Sequence, residues 1–563
     1  MVKHEEKQAW ILAYTRKPKK ECYPEGLARS VHFAVSRDGI HFETLFQNYG
    51  MLFPKALIDG QDRIDPRGAA CPALWRLRDG RYCVTAERVT EDGGRDASAA
   101  GRLLCWMTRD FCEFEEEAVW EREKLLNLLP EDKGREKSCR VGEEWVTGSA
   151  LPLDAALYDR IRRRWEKLRH VENRLRSGPA VASAKDLEEL RVEAVYSDGS
   201  SALKRVDWDR DWDCDLTGPG EKTVYGKIRA QGYDFPLAKG YGDPVLFFWE
   251  GKWHFLATND NLNDIGLYIR QADTIEELFA PEAAEHLILG VEEEKGFVQT
   301  FWAPEFHVIG KEAYILFAVG PKRWGPQCWL MKLKRGRNPI DPSAWEEPVR
   351  IVRKDGEPLS TDGITLDMTY LRAGGRSYMV WSYRRHIGTP LDTGSMLWIA
   401  AVDEETPWQL SQEPVLLSRP LYGWENVSGT INNEGPHGFV HNGRVYLTYS
   451  GGAANGYTYA LGLLTADENA DLTDPSVWTK SKTPVLSFYS VKGHYGPGHN
   501  SFFEDEEGQL WIAYHAEESI DSHLRCDAIR RVHFGERGIP VFDLDPEQDP
   551  ASQLSRVKLQ ITV

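Results

Sequence analysis

Between about residue 240 and residue 545 the apolar positions fall into short alternating runs, separated by Gly and Pro, and the runs recur. Each copy has a polar or special residue, a short apolar strand, a turn with glycine, and a second strand rich in aromatic and β-branched residues. The copies are DPVLFFWEGKWHFLATND from Asp243, WAPEFHVIGKEAYILFAVG from Trp302, DMTYLRAGGRSYMVWSYR from Asp367, EGPHGFVHNGRVYLTYSG from Glu434 and HNSFFEDEEGQLWIAYHA from His499. Gly251, Gly310, Gly375, Gly443 and Gly508 set the phase, and the copies start 59, 65, 67 and 65 residues apart. That period suits a four-stranded blade with long loops, so the pattern predicts an all-β, five-bladed β-propeller. In such a ring the inner strands surround one axis. Residues in the same phase of different copies therefore meet.

Upstream the pattern changes. Residues 154–176 place Leu157, Ile161, Trp165, Leu168 and Leu175 on one helical face, with basic residues opposite. Residues 186–230 alternate around turns at Ser197-Asp198-Gly199 and Gly218-Pro219-Gly220, which fits a small β-sandwich. The fragments SVHFAVSRDGIHFETL, CPALWRLRDGRYCVTAERV and GRLLCWMTRDFCEFEEE echo blade strands, with Cys71-Pro72 at the phase where later copies carry acids. The expected organisation is a β-rich, propeller-like accessory region over 1–150, a helical linker over 151–185, a sandwich module over 186–232 and the propeller over 233–563. Asp62 and Asp65 are candidates for a pocket, with turn capping as the simpler reading.

Composition narrows the functions. The chain has 563 residues and a net charge of −18, so no general basic field exists to attract nucleic acid. No apolar run approaches the roughly 18 residues of a membrane span. The start, MVKHEEKQAW, carries charges where a secretion signal has an apolar core, and the expectation is a cytoplasmic protein. Nine cysteines are scattered without a C-x-x-C pair, which suggests reduced packing thiols. The chain also holds 20 Trp, 22 Tyr and 21 Phe. Aromatic faces pack sheets and also stack on sugars.

The five repeat starts are Asp243, Trp302, Asp367, Glu434 and His499. Three carboxylates brought together at one axis are costly unless at least one keeps its proton, and such a set suits general acid–base chemistry. Glycoside hydrolysis needs that division between an acid and a base. A structural or metal-binding carboxylate ring, or capping of strand starts, is the competing reading.

The strings YGDPVLFF, FWAPEFH, TLDMTYL, NNEGPHGF and YGPGHNSF, in this order and spacing over roughly residues 235–545, resemble glycoside hydrolase family 43. The resemblance implies a five-bladed propeller acting on α-L-arabinofuranosides or β-D-xylosides with inversion. It implies Asp243 as general base, Asp367 as the residue that tunes the acid and orients the sugar, and Glu434 as general acid. Asp362 in STDG is out of phase. Trp302 would line the sugar subsite or simply pack the propeller. His499 matches an axial histidine that in some members holds water or a calcium ion, so a structural calcium is the one cofactor the resemblance offers. Residues 186–230 are similar to a bacterial immunoglobulin-like module. Trp324 and Trp424, near blade mouths by phase, are further candidates for binding substrate or for covering the core.

The expected activity is release of a terminal pentose from short oligosaccharides. A non-hydrolytic carbohydrate-binding propeller and a glycoside phosphorylase are the alternatives, and the latter needs an Arg/His cluster that the blade motifs lack. Arabinose against xylose, exo against endo action and oligomeric state are not legible in the chain.

Overall fold

The computed structural model describes residues 8–128, 130–175, 178–209, 219–545 and 549–563. The chain divides into two compact units, Met1–Arg162 with Phe235–Phe503 and Ile512–Ile529, and Arg163–Asp234 with Glu504–Trp511 and Arg530–Val563.

Five antiparallel sheets in sequence form the propeller. Their inner strands are Tyr241–Trp249, Gln299–Ile309, Gly363–Ala373, Asn433–His441 and Tyr495–Glu504, and each continues outward through a hairpin into its neighbour. The five phase-setting glycines all have positive φ, between 63° and 81°, the conformation that a tight hairpin turn demands. The first four blades have four strands and the fifth has three of its own. The segment entering blade one completes the fifth. Leu237 N–H donates to the Asp527 carbonyl (2.9 Å), Asp527 N–H to that of Ala238 (2.9 Å) and Gly240 N–H to that of Arg525 (2.8 Å). The first and last parts of the ring are thus stitched by backbone hydrogen bonds, and no edge of blade five is left open there.

Apolar side chains fill the spaces between successive blades. Val245, Leu256 and Ile269 of blade one pack with Phe301, Ile315 and Phe317 of blade two, while Leu316 and Leu330 of blade two pack with Met368, Met379 and Trp381 of blade three. Both faces of the middle strands are therefore buried, which is why their sequences are almost continuously apolar.

The accessory region makes two five-stranded antiparallel sheets. One has the order Arg135–Val141, Glu144–Leu153, Ala9–Tyr14, His32–Ser36, Glu43–Thr44; the other Pro130–Lys133, Arg67–Leu77, Tyr82–Thr90, Arg102–Thr108, Ala118–Glu121. Tyr23, Leu27, Tyr49 and Phe53 share a core with Leu371, Val380, Trp424, Leu447 and Phe488, so this region is built onto blades three and four. Asp62 belongs to the same junction. It accepts from Arg385 (2.8 Å) and Arg419 (2.5 Å), while Asp65 pairs with Arg67; the turn from Asp59 to Arg63 that carries Asp62 is capped by the Asp59 carboxylate.

The helix expected over 154–176 is shorter, spanning Ala155–Trp165, with Leu157, Tyr158, Ile161 and Trp165 buried. Beyond it His170–Arg174 is a strand, because its backbone is recruited as the edge of a sheet. That sheet runs His170–Arg174, Arg191–Tyr196, Ser201–Trp208, Glu221–Ile228, Arg556–Thr562. The last strand alternates exposed and buried residues along RVKLQIT and pairs with Glu221–Ile228, so the chain leaves the propeller before its C-terminus. The small β module is assembled from both sides of the propeller in sequence, and its strands extend past the expected limits 186–232. Gly218 of the expected turn, and Cys214, lie outside the described residues. None of the other eight cysteines forms a disulfide among the described residues. Among the described residues no helix is long and apolar enough to cross a membrane.

The second unit encloses a charged cluster around Asp549. Asp549 accepts from Lys204 Nζ (2.8 Å), Arg531 Nε (3.1 Å) and the Tyr196 hydroxyl, and the Lys204 side chain is fully buried. Asp549→Ala leaves two buried cations without their counterion and is expected to destabilise this unit by about 3–5 kcal/mol. Amide exchange along Ser201–Trp208 should accelerate accordingly; unchanged protection there would contradict the assignment.

Candidate active site

The inner strands share an irregularity that positions the site. In blade one the pairing register shifts between Gly242 and Val245, in blade two between Trp302 and Glu305, in blade three between Leu366 and Thr369, and in blade four between Glu434 and His437. At each shift one residue has positive φ: Asp243 (59°), Ala303 (45°), Asp367 (53°) and Gly435 (55°), with His499 (42°) in blade five. These are β-bulges, which bend the strand and turn consecutive side chains toward the axis. Asp243, Asp367 and His499 occupy the left-handed position itself. Trp302 and Glu434 stand one residue earlier, so the five repeat starts do not share a single phase. The accessory region carries the same bulge at Cys71 (50°), between Ala70 and Ala73, with no carboxylate on it.

Asp243, Trp302, Asp367, Glu434 and His499 line one cavity of about 460 Å³, together with Asp260, Asp264, Leu366, Ala454, Asn455, His523 and Arg525. Trp324 is not part of this lining. It packs edge-on to Trp302 at 6.4 Å and is 41% exposed. Trp424 is placed elsewhere: it is fully buried in the core shared with the accessory region, its indole N–H donating to the Lys482 carbonyl (3.2 Å), and a substrate cannot reach it. Asp62 and Asp65 do not line the cavity either. Asp362 stands outside it, accepting from the Tyr383 hydroxyl (2.7 Å).

The three carboxylates have different surroundings. Asp243 accepts from Thr258 Oγ1 (2.5 Å) and from Arg525 Nη1 (3.0 Å), with His499 Nδ1 3.1 Å away. Burial would raise its pKa, but Arg525 and His499 prevail and hold the carboxyl well below the usual carboxylate range. The Asp243 N–H donates to His515 Nδ1 (3.2 Å), so that ring carries its proton on Nε2, which donates to the Ala454 carbonyl (3.0 Å). Asp367 accepts from Ser382 Oγ (2.8 Å) and the Gly435 N–H (3.2 Å). Burial raises its pKa, His499 opposes, and the Asp243 charge adds to the rise. Glu434 accepts from the Tyr459 hydroxyl (3.0 Å), and burial, reinforced by Asp367, pushes it up to about 7. Burial works against a proton on His499, but Asp243, Asp367, Glu434 and Glu305 together raise its pKa.

Several of these groups were not singled out from the chain. Arg525, in the last loop of blade five, bridges Asp243 and Asp260. Asp264 accepts from Trp302 Nε1 (2.8 Å) and fixes the ring facing the cavity. Asp260 and Asp264 stand in NDNLNDIG, immediately after the second strand of blade one, where a cluster of polar residues at a blade mouth was a usable signal. Arg525 had none, because its partner lies 282 residues away.

These side chains by themselves do not make a calcium cage. Calcium takes six to eight oxygens; His499 offers nitrogen, and the neighbouring carboxylates are engaged by Arg525, Ser382, Thr258 and Tyr459.

The chain matches the profile of Glycosyl hydrolases family 43 over residues 236–540, more than half its length. It belongs to that family. It is 32% identical over 329 residues to alpha-L-arabinofuranosidase B of Pyricularia oryzae, covering 56% of this chain and 64% of the relative. It is 34% identical over 290 residues to the extracellular exo-alpha-(1->5)-L-arabinofuranosidase of Streptomyces chartreusis, covering 50% of this chain and 82% of the relative. A solved alpha-L-arabinofuranosidase from Lactobacillus brevis aligns with a TM-score of 0.48 at 29% identity, over 56% of this chain and 97% of that one. The chain spans a little under two thirds of the length of the Pyricularia relative. The family match begins after the accessory region and the first strands of the small β module.

Gly435 tests the packing of the site. A Cβ there would lie 2.8 Å from His499 Cγ, at a backbone φ of 55°. Gly435→Ala is expected to cost at least about 1–2 kcal/mol from the left-handed backbone alone and to displace the His499 ring. Urea melts give the first quantity, and the His499 imidazole resonance gives the second; an unshifted resonance would show that the ring is not held by this contact.

Proposed function

We propose that this family 43 chain is a glycosidase that hydrolyses O-glycosyl bonds, releasing a terminal pentose from oligosaccharides by a single displacement with inversion. The observation that carries the reading is the opposite protonation of two buried carboxyls in one cavity, Asp243 ionised beside Arg525 and Glu434 protonated up to about pH 7. A base and an acid are thereby assigned by environment. Asp243 accepts a proton from the attacking water, and Glu434 gives its proton to the departing glycosidic oxygen.

Asp367 stands between these roles. Its charge raises Glu434, and its hydrogen bonds from Ser382 and the Gly435 N–H fix its orientation toward the sugar. Trp302, held by Asp264, presents an aromatic face for the apolar side of a pentose ring. Two relatives whose names specify arabinofuranosidase favour an α-L-arabinofuranosyl unit over a β-D-xylosyl unit. The cavity does contain Arg525 and His523, residue types that a phosphorolytic enzyme needs, but the guanidinium is committed to Asp243 and Asp260. Water is therefore the acceptor in this reading.

Assay on aryl α-L-arabinofuranoside and aryl β-D-xyloside, with and without inorganic phosphate, tests it directly. Turnover should be greater on the arabinofuranoside and independent of phosphate; absence of turnover on both would overturn the proposal. Asp243→Asn should abolish turnover on every substrate. Glu434→Ala should lose about 10²–10⁴-fold on oligosaccharides and much less on activated aryl glycosides, which need no acid. An equal loss on both would remove Glu434 as the acid.

The pH dependence follows from the sign of the same shift. A raised pKa keeps Glu434 protonated below about 7, so kcat/KM on oligosaccharides should be maintained there and fall as pH rises through that value. The groups acting on it are Asp367, which raises it, and His499, Tyr459 and Arg384, which lower it. Asp367→Asn should therefore move the alkaline limb to lower pH, and a limb that stays in place would contradict the coupling.

A further inference from the structure

Immediately past each bulge the inner strands resume regular pairing, and their first paired residues are Val245, Glu305, Thr369 and His437 in blades one to four. This second layer is chemically uneven. Glu305, only 3% exposed, faces two imidazoles: His307, two residues on along the same strand, and His437 from blade four. Glu305 Oε2 lies 2.6 Å from His307 Nε2 and 3.9 Å from His437 Nε2, and one ligand atom from each of the three falls within 4.8 Å of the others. Among the described residues this is the one group of three or more His, Cys, Asp or Glu side chains with that spacing.

We propose that Glu305, His307 and His437 bind a divalent transition ion of the zinc type on the propeller axis, one layer away from the bulges that carry Asp243, Asp367 and Glu434. Two imidazoles and one carboxylate are a borderline-soft donor set, which suits zinc and does not suit calcium. A tetrahedral zinc with bonds of about 2.0–2.2 Å sets its ligands roughly 3.4 Å apart; the two separations present, 2.6 and 3.9 Å, lie on either side of that value. Binding needs the Glu305–His307 contact to open by less than 1 Å.

Two further features belong to the site. His437 is 92% buried, and its Nδ1 finds no hydrogen-bond partner among the described residues. Thr369 Oγ1, from blade three, lies 3.4 Å from His307 Nε2 and borders the site. The ion would tie blade two to blade four. Its role is to hold the layer beneath the catalytic bulges, and hydrolysis itself is assigned no step through it.

The test uses the full chain, stripped with a chelator, exposed separately to zinc sulfate and calcium chloride, desalted and analysed for metal. About one zinc and no calcium should remain per chain, with a melting temperature above that of the stripped protein. Glu305→Gln and His307→Gln should each lower the retained zinc at least tenfold. Should these variants fail to fold, cobalt titration of the unaltered protein replaces them, and a visible absorption of four-coordinate cobalt is expected. Retention of calcium in place of zinc, zinc content unchanged in both folded variants, or no metal retained and no cobalt band would each overturn the site.

Discussion

The left-handed residue at the bulge in the inner strand of each blade is the constraint on which the rest of this protein depends. An unbroken strand alternates its side chains between two neighbouring blades, and those faces are needed for the hydrophobic core. The bulge interrupts that alternation for two residues, so that polar side chains reach the axis while the same strand keeps its apolar packing on both sides. Asp tolerates positive φ better than most residues, and glycine has no penalty there. The acids at Asp243 and Asp367 and the glycine at Gly435 are therefore backbone choices as well as chemical ones.

Once the carboxyls are gathered, their charges have to be separated by environment. Arg525 supplies the difference. Its guanidinium lies beside Asp243 and not beside Glu434, and so one carboxyl is kept ionised while burial leaves the other with its proton. His499, raised by four surrounding carboxylates, contributes positive charge between them. The result is one ionised and one protonated carboxyl within one cavity, produced by one unequal cation placement and shared desolvation. The supporting shell includes hydroxyls on second strands, Thr258 and Ser382, together with Tyr459, each donating to one of the three.

The accessory region follows the same structural rules without the chemistry. Its long strand bulges at Cys71 as the blades do, and Asp62 pairs with Arg385 and Arg419 instead of lining a pocket. Its aromatic residues join the core of blades three and four, which is also where Trp424 ends. A tryptophan near a blade mouth by sequence phase served as an anchor between two layers of structure, because the neighbouring face was covered by residues several hundred positions away.

What the chain determined by itself was the repeat and its chemistry: five hairpins with left-handed turn glycines, and the candidates Asp243, Trp302, Asp367, Glu434 and His499, because both depend on spacing within a strand and on turns of a few residues. The one-residue offset of Trp302 and Glu434 from the other three was not legible, since a bulge is seen only against the partner strand. Nor were Arg525, the burial of Trp424, or the recruitment of Arg556–Thr562 into a sheet with Glu221–Ile228. Each of these is decided by contacts between segments distant in sequence, and no local pattern carries the position of a partner that only the closed tertiary structure brings near.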